Sequence, residues 1–149
     1  MPSVNTNAVE QEIKVNASPE TVFAFLTDPV KLRRWMSIGG EWDPVAGKPY
    51  RLIMTKEDVA MGAFVEVTPP SRLVLTWGWE GKDAVTKPGT STLEFHVRPD
   101  GNGTIVRLVH RDLPTAETAE QHNRGWEYFL SRLQIAAAGG DPGPDKMQE

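Results

Sequence analysis

His110 and His122 are the residues of this chain whose type and placement come nearest to chemistry. An imidazole can move a proton near neutral pH, or it can orient a ligand by one hydrogen bond. Strand alternation turns His110 inward with Val106 and Leu108, and helical spacing puts His122 one turn before Trp126. Two readings follow. In one, the pair anchors a mostly apolar ligand, because small-molecule sites combine apolar walls with a few placed polar groups. In the other, a histidine to backbone hydrogen bond locks the last strand to the helix; this plainer reading is favoured, since buried polar groups are normally satisfied structurally. No third ligand with metal-binding spacing accompanies the pair, so neither a metal nor a cofactor is expected. Glu66 beside Phe64 reads equally as an inner carboxylate or as half of an outer ion pair. Ser91 and Ser131 lack a nucleophile-elbow context, and Gly39-Gly40 and Gly101-Asn102-Gly103 lack the strand-to-helix setting of a phosphate loop. No catalytic motif emerges, and the chain does not read as an established enzyme.

Aromatic residues supply the other signal. Five tryptophans, Trp35, Trp42, Trp77, Trp79 and Trp126, are many for 149 residues. Two or three belong to the core, where large aromatics dominate packing, while Trp126 and one of Trp77 or Trp79 suit the walls of a pocket. Parity places Leu73, Leu75, Trp77 and Trp79 on one face of a strand, and Tyr50, Leu52 and Met54 on one face of another. Glu94 and His96 fall on the opposite parity from Leu93, Phe95 and Val97, and are expected in solvent. The expected ligand-binding set is Trp35, Trp42, Tyr50, Met54, Trp77, Trp79, His110, His122, Trp126 and Phe129, with Trp35 near an entrance.

Elements that position these side chains can be read from periodicity. A short alternating strand over 10–15 leads to Ser18-Pro19, a good cap followed by a proline at the first helical position. The helix buries Val22, Phe25 and Leu26, and Asp28-Pro29 breaks it and caps a second short helix ending near Trp35. From Gly39 to Arg111 the period is two, predicting antiparallel strands near 41–43, 49–56, 61–68, 71–79, 90–98 and 103–111, with Asp100-Gly101-Asn102-Gly103 as a hairpin turn. From Thr115 to about Ala138 one long helix presents His122, Trp126, Phe129, Leu130 and Leu133 on a single face, and at 1.5 Å per residue it spans about 35 Å. Gly139-Gly140 ends it. The expected architecture is α+β: a curved antiparallel sheet of about seven strands wrapped around a long C-terminal helix, with two short helices after the first strand and a pocket beside the long helix. Residues 1–7 and 139–149 are expected to be flexible, and 8–138 to form one domain.

Composition narrows the partners. A formal net charge of −4 offers no basic stripe for nucleic acid or anionic lipid. Cysteine is absent, which removes disulfides and thiolate chemistry. No stretch approaches the roughly 20 apolar residues of a membrane span, and the polar first residues do not resemble a secretion signal, so a cytoplasmic location is expected.

Taken in order, Ser18-Pro19-Glu20, Val22-Phe23, Leu26-Thr27-Asp28-Pro29, Leu32 and Trp35, then Gly62, Glu66-Val67, Pro69-Pro70, Arg72-Leu73 and Thr76-Trp77, then Thr104, Val106, Leu108 and His110, and finally His122, Gly125-Trp126, Leu130 and Leu133 form a pattern over residues 8–138. It resembles the Hsp90-ATPase-activator-homologue group of the START-like, or Bet v 1-like, helix-grip superfamily. The resemblance implies a curved sheet gripping a C-terminal helix over a mainly apolar cavity. It implies binding of hydrophobic compounds in most members, and cyclase or hydrolase activity in some. It carries no agreed catalytic residues to this chain. The eukaryotic co-chaperone engages Hsp90 through a separate N-terminal domain that these residues do not include, so chaperone activation is not expected of them. The leading expectation is therefore a binder of a hydrophobic small molecule, aromatic ones among the candidates. The alternatives are a cyclase- or hydrolase-type enzyme using His110, His122 or Glu66, and a protein-interaction module, with a homodimer as one form of partner.

Overall fold

A computed structural model of the chain describes residues 7–146. Met1 to Thr6 and Met147 to Glu149, at the two ends expected to be flexible, lie outside them. Strand β1 (Val9–Val15) runs into Ser18, whose hydroxyl accepts the Thr21 amide at 3.1 Å and caps helix α1 (Pro19–Thr27). Asp28 then accepts from the amides of Val30 and Lys31 and caps the single-turn helix α2 (Pro29–Leu32). Both caps satisfy amides that a helix start leaves without partners.

Strands β2 (Gly39–Glu41), β3 (Pro49–Ile53), β4 (Val59–Thr68), β5 (Arg72–Trp79), β6 (Ser91–Asp100) and β7 (Gly103–Arg111) follow, and then helix α3 (Ala116–Ala137). All strands are antiparallel in one sheet of order β1-β7-β6-β5-β4-β3-β2. Helix α3 packs on one face of it, and the whole is the α+β helix-grip arrangement. Its inner face carries Leu52, Phe64, Leu75, Trp77, Phe95 and Leu108, all at most 2 % exposed, against Trp126, Phe129, Leu130 and Leu133 of α3. No helix among the described residues is long and apolar enough to cross a membrane.

Three differences from the periodicity have local causes. The first sheet strand after the helices is β2 at 39–41 rather than 41–43, because Gly40, at φ +117°, brings its Cα against the Arg51 carbonyl where a Cβ would lie 2.0 Å away. Strand β3 stops at Ile53 because Met54 and Thr55 turn back to donate to the Asp58 carbonyl. In β4 the pairing shifts between Phe64 and Glu66, leaving Val65 as an extra, exposed residue. Such a bulge resets the alternation. Phe64 and Val67 therefore both face the core, while Glu66 turns outward to Arg72 at 3.2 Å.

Glu94 is a correction. It has the outer parity, but it is only 8 % exposed rather than in solvent, because neighbouring side chains close over it on a central strand. Arg111 reaches it at 2.7 Å and His96 at 2.8 Å. Burial works to raise the carboxyl's pKa, but the hydrogen bonds and charges of Arg111 and His96 outweigh it and hold it below the usual value. His96 shares this partly covered site.

Residues 142–146 make polar contacts with α3. Arg132, 8 % exposed on α3, donates through Nη1 to the carbonyls of Pro142, Gly143 and Pro144 and through Nε to that of Trp35. The Tyr128 hydroxyl donates to Asp145 and accepts the Lys146 amide. Residues 142–146 are thereby laid along the helix.

Candidate functional site

A cavity of about 350 Å³ opens between the sheet and α3. Trp77 and Trp79 form its sheet side, His122, Trp126 and Phe129 its helix side, and Met54 and Asp58 at the β3–β4 turn its rim together with Gln121 and Gly125. Helical spacing places the α3 group: residues 122, 125, 126 and 129 recur at three and four. Alternation places Trp77 and Trp79 two residues apart on one side of β5.

Gly125 has no conformational reason to be glycine. It lies inside a 22-residue helix, and a Cβ built on it would meet no atom within 4 Å. A glycine there costs about 1 kcal/mol relative to alanine. What its missing side chain leaves is open space at the cavity wall.

Around the cavity the polar groups close on one another. The Trp126 indole N–H donates to His110 Nδ1 at 3.0 Å. That fixes the tautomer: the His110 proton sits on Nε2 and is donated to Ser91 Oγ at 2.8 Å, and the Ser91 hydroxyl donates to the Trp77 carbonyl at 2.6 Å. His122 has the other tautomer. Its Nδ1–H donates to the Thr118 carbonyl at 2.7 Å, and its Nε2 accepts the Trp79 indole N–H at 3.0 Å. The imidazole rings are 5.0 Å apart and nearly perpendicular. Burial first, and the nearby His122 second, together lower the His110 pKa to about 3; burial likewise lowers that of His122, against a raising hydrogen bond to Thr118. Both imidazoles are neutral near pH 7, and the lone pair of each is occupied by an indole.

Of the residues singled out from sequence, Met54, Trp77, Trp79, His122, Trp126 and Phe129 meet at the cavity. His110 lies behind the wall, fully buried, and locks β7 to α3 through an indole instead of a backbone carbonyl. Trp35, Trp42 and Tyr50 stand elsewhere. Trp35 is fully buried with its N–H on the Phe25 carbonyl, so it does not mark an entrance. Trp42 donates to the Leu26 carbonyl and packs against Tyr50 and Phe64, and the Tyr50 hydroxyl donates to the Thr76 carbonyl. Burial raises the Tyr50 pKa well above its ordinary value. Asp58, Gln121 and Gly125 are the lining residues that parity did not find. Gly125 left a legible signal, an isolated glycine inside a strongly periodic helix. Among the described residues no group of three or more His, Asp or Glu side chains is placed to hold a metal ion.

The family model described as "Activator of Hsp90 ATPase homolog 1-like protein" matches residues 16–138. The solution structure of an AHSA1-like protein from Rhizobium etli is 41% identical, with a TM-score of 0.74, over 95% of this chain and 88% of that one. A crystal structure of DynU16, a protein of the dynemicin biosynthetic locus, has a TM-score of 0.79 at 20% identity over 91% of this chain, which spans only 49% of that longer protein. The Aha1 dimer from Colwellia psychrerythraea, 22% identical over 89% of this chain and 97% of its own, has a TM-score of 0.76. At these last two identities the likeness is one of fold. No curated protein matches the chain.

Proposed function

The chain belongs to the Activator of Hsp90 ATPase homolog 1-like family, and from that premise we propose that it binds a hydrophobic small molecule in the cavity between its sheet and its C-terminal helix. The observation that carries this reading is Gly125. A residue that weakens its own helix, and whose added Cβ would meet no neighbouring element, is accounted for by the space it leaves free. The volume of about 350 Å³ and the aromatic walls suit a compact apolar ligand.

The cyclase or hydrolase alternative is less well supported. A general base needs a free lone pair within reach of substrate, and those of His110 and His122 are each taken by an indole. Glu66, the third candidate, faces away from the core. A cytoplasmic binder that forms a homodimer, as its Colwellia relative does, is part of the proposal; light scattering coupled to size exclusion tests the oligomeric state, a purely monomeric mass at high concentration arguing against it.

Tryptophan fluorescence tests the cavity directly, since three of the five indoles line it. A panel of apolar ligands should include one that quenches saturably. Gly125→Leu, which fills the space, should abolish that quenching while leaving the far-ultraviolet spectrum intact. A variant that binds as well as the parent, or a panel without any saturable ligand, overturns the proposal.

A further inference from the structure

The two indole–imidazole bonds differ in what surrounds them. That between Trp126 and His110 lies in the core, with Trp126 3 % exposed and His110 fully buried. That between Trp79 and His122 joins two half-buried residues, both of which line the cavity. Solvent protons therefore reach the second bond while the first stays closed.

A proton arriving at His122 has one place to go. Nδ1 already carries a hydrogen, donated to the Thr118 carbonyl at 2.7 Å, so the lone pair is on Nε2, where the Trp79 N–H is accepted. Once Nε2 is protonated, two N–H groups point at each other across 3.0 Å, and neither can accept. One ring must leave. A charged imidazole holds the Thr118 carbonyl more strongly, and its backbone sits inside the 22-residue helix α3. The Trp79 indole has no second polar atom, and Trp79 is the last residue of β5, two beyond the final pairing of that strand with β6 at Trp77 and Ser91. Trp79 is the ring that moves.

No neighbouring group offers the bond a substitute. His110 on β7, its ring 5.0 Å away, keeps its own proton on Nε2 for Ser91. Asp58, on the β3–β4 turn, is the charged side chain facing the cavity, and no lysine or arginine is among the residues that line it. On its own helix His122 has Thr118, Ala119, Gly125 and Trp126 three and four positions away, none of them charged.

We infer that the Trp79–His122 bond is a proton-sensitive latch on the cavity: with His122 neutral, Trp79 is held as a wall and an apolar ligand is retained, and with His122 protonated, Trp79 is released and the ligand is lost. This rests on the binding reading above and adds the regulation of that site. Burial lowers the His122 pKa, against the raising bond to Thr118, so the transition lies below the 6.5 of a free imidazole.

NMR and tryptophan fluorescence between pH 8 and pH 5 test the latch, with 2-naphthol as the neutral apolar probe, or toluene if the cavity rejects a fused ring. The Trp79 indole N–H resonance should move with the titration of the His122 ring, while that of Trp126, tied to His110, stays in place. Affinity for the probe should be constant above pH 6.5 and fall below the His122 midpoint, by up to about tenfold per pH unit. By reciprocity, a saturating probe should shift that midpoint to lower pH. His122→Gln offers an amide oxygen to the Trp79 N–H and takes no proton, so its affinity should not change with pH. Trp79→Phe removes the bond and keeps an aromatic wall; it should flatten the profile in the same way and serves if the first variant does not fold. An affinity unchanged as His122 titrates, a midpoint that the probe leaves in place, or a pH dependence that persists in the folded variant overturns the inference. If a probe binds alike at pH 8 and pH 5, the latch falls and the cavity assignment stands. If neither probe binds at pH 8, both fall.

Discussion

An imidazole nitrogen that accepts an indole N–H cannot hold a proton at the same time, and in this protein that exclusion operates twice. At His110 it makes Trp126 a structural donor as well as a wall. Trp126 and Trp77 are similarly buried, but no partner satisfies the Trp77 N–H among the described residues. Replacing each by phenylalanine removes similar volume, and only at Trp126 does it strand an acceptor. Trp126→Phe should therefore destabilise the protein by about 1–3 kcal/mol more than Trp77→Phe in urea unfolding. It should also raise the His110 pKa from about 3 as Nδ1 is freed, a shift visible by NMR. Equal losses for the two variants would show that the indole–imidazole bond contributes nothing. From sequence, the inward direction of His110 followed from its parity with Leu108 and Val106, but its partner did not. A strand's alternation says which side a ring faces, and nothing about which atom on the helix will meet it.

Among the elements, β5 supplies the cavity's sheet side, and Gly62 of β4 sets the spacing between β4 and β5. A Cβ on Gly62 would stand 2.2 Å from the Thr76 carbonyl oxygen, which already accepts the Tyr50 hydroxyl, and 2.7 Å from the Thr76 Oγ1 that accepts the Ala63 amide. Gly62→Ala should cost about 1–3 kcal/mol through overpacking and shift the environments of Trp77 and Trp79; an unchanged near-ultraviolet spectrum and denaturation midpoint would count against this spacing role. The edges of the sheet are handled differently. β2 is only three residues long, and at the β1 edge the Gln134 amide takes the Lys14 carbonyl. Both limit what a strand from another chain can pair with. Elements were the most legible level of the sequence: β7 begins and ends where the alternation from Gly103 to Arg111 does, and α3 departs from its expected span by one residue at each end. Irregularities were the least legible. The bulge at Val65 left Glu66 ambiguous, because one inserted residue reverses the rule that assigns faces. Asp58 escaped notice for a related reason, since a turn has no period.

Across the whole molecule, acid should be the condition that loosens the fold. The folded-state pKa of His110 lies below its unfolded value of 6.5, so the unfolded chain binds a proton that the native protein refuses. Stability is unaffected by this group above pH 6.5 and falls as pH drops from there toward about 3. His110 alone should lower it by about 2 kcal/mol between pH 7 and pH 5. His122 shifts in the same direction and adds to the loss, and Glu94, also held below its ordinary value, adds more below its unfolded pKa of 4.5. Urea midpoints measured across this range test the assignment, and a flat profile from pH 7 to pH 5 would mean that His110 is not held neutral by burial.

The strand order also imposes a timetable. Each of β2 to β6 neighbours the strand that follows it in sequence, so β2 to β7 can close hairpin by hairpin as they emerge from a ribosome. β1 cannot. Its sheet partner is β7, with Val15 set against Thr104. At synthesis rates of about 5–20 residues per second, the first strand waits roughly 4–18 s for the last. Through that interval Val9 and Val15, almost wholly enclosed in the finished protein, have no sheet to enter. The alternating Glu10, Glu12 and Lys14, exposed in the native state, keep the waiting segment charged and so guard it against pairing with strands of neighbouring nascent chains.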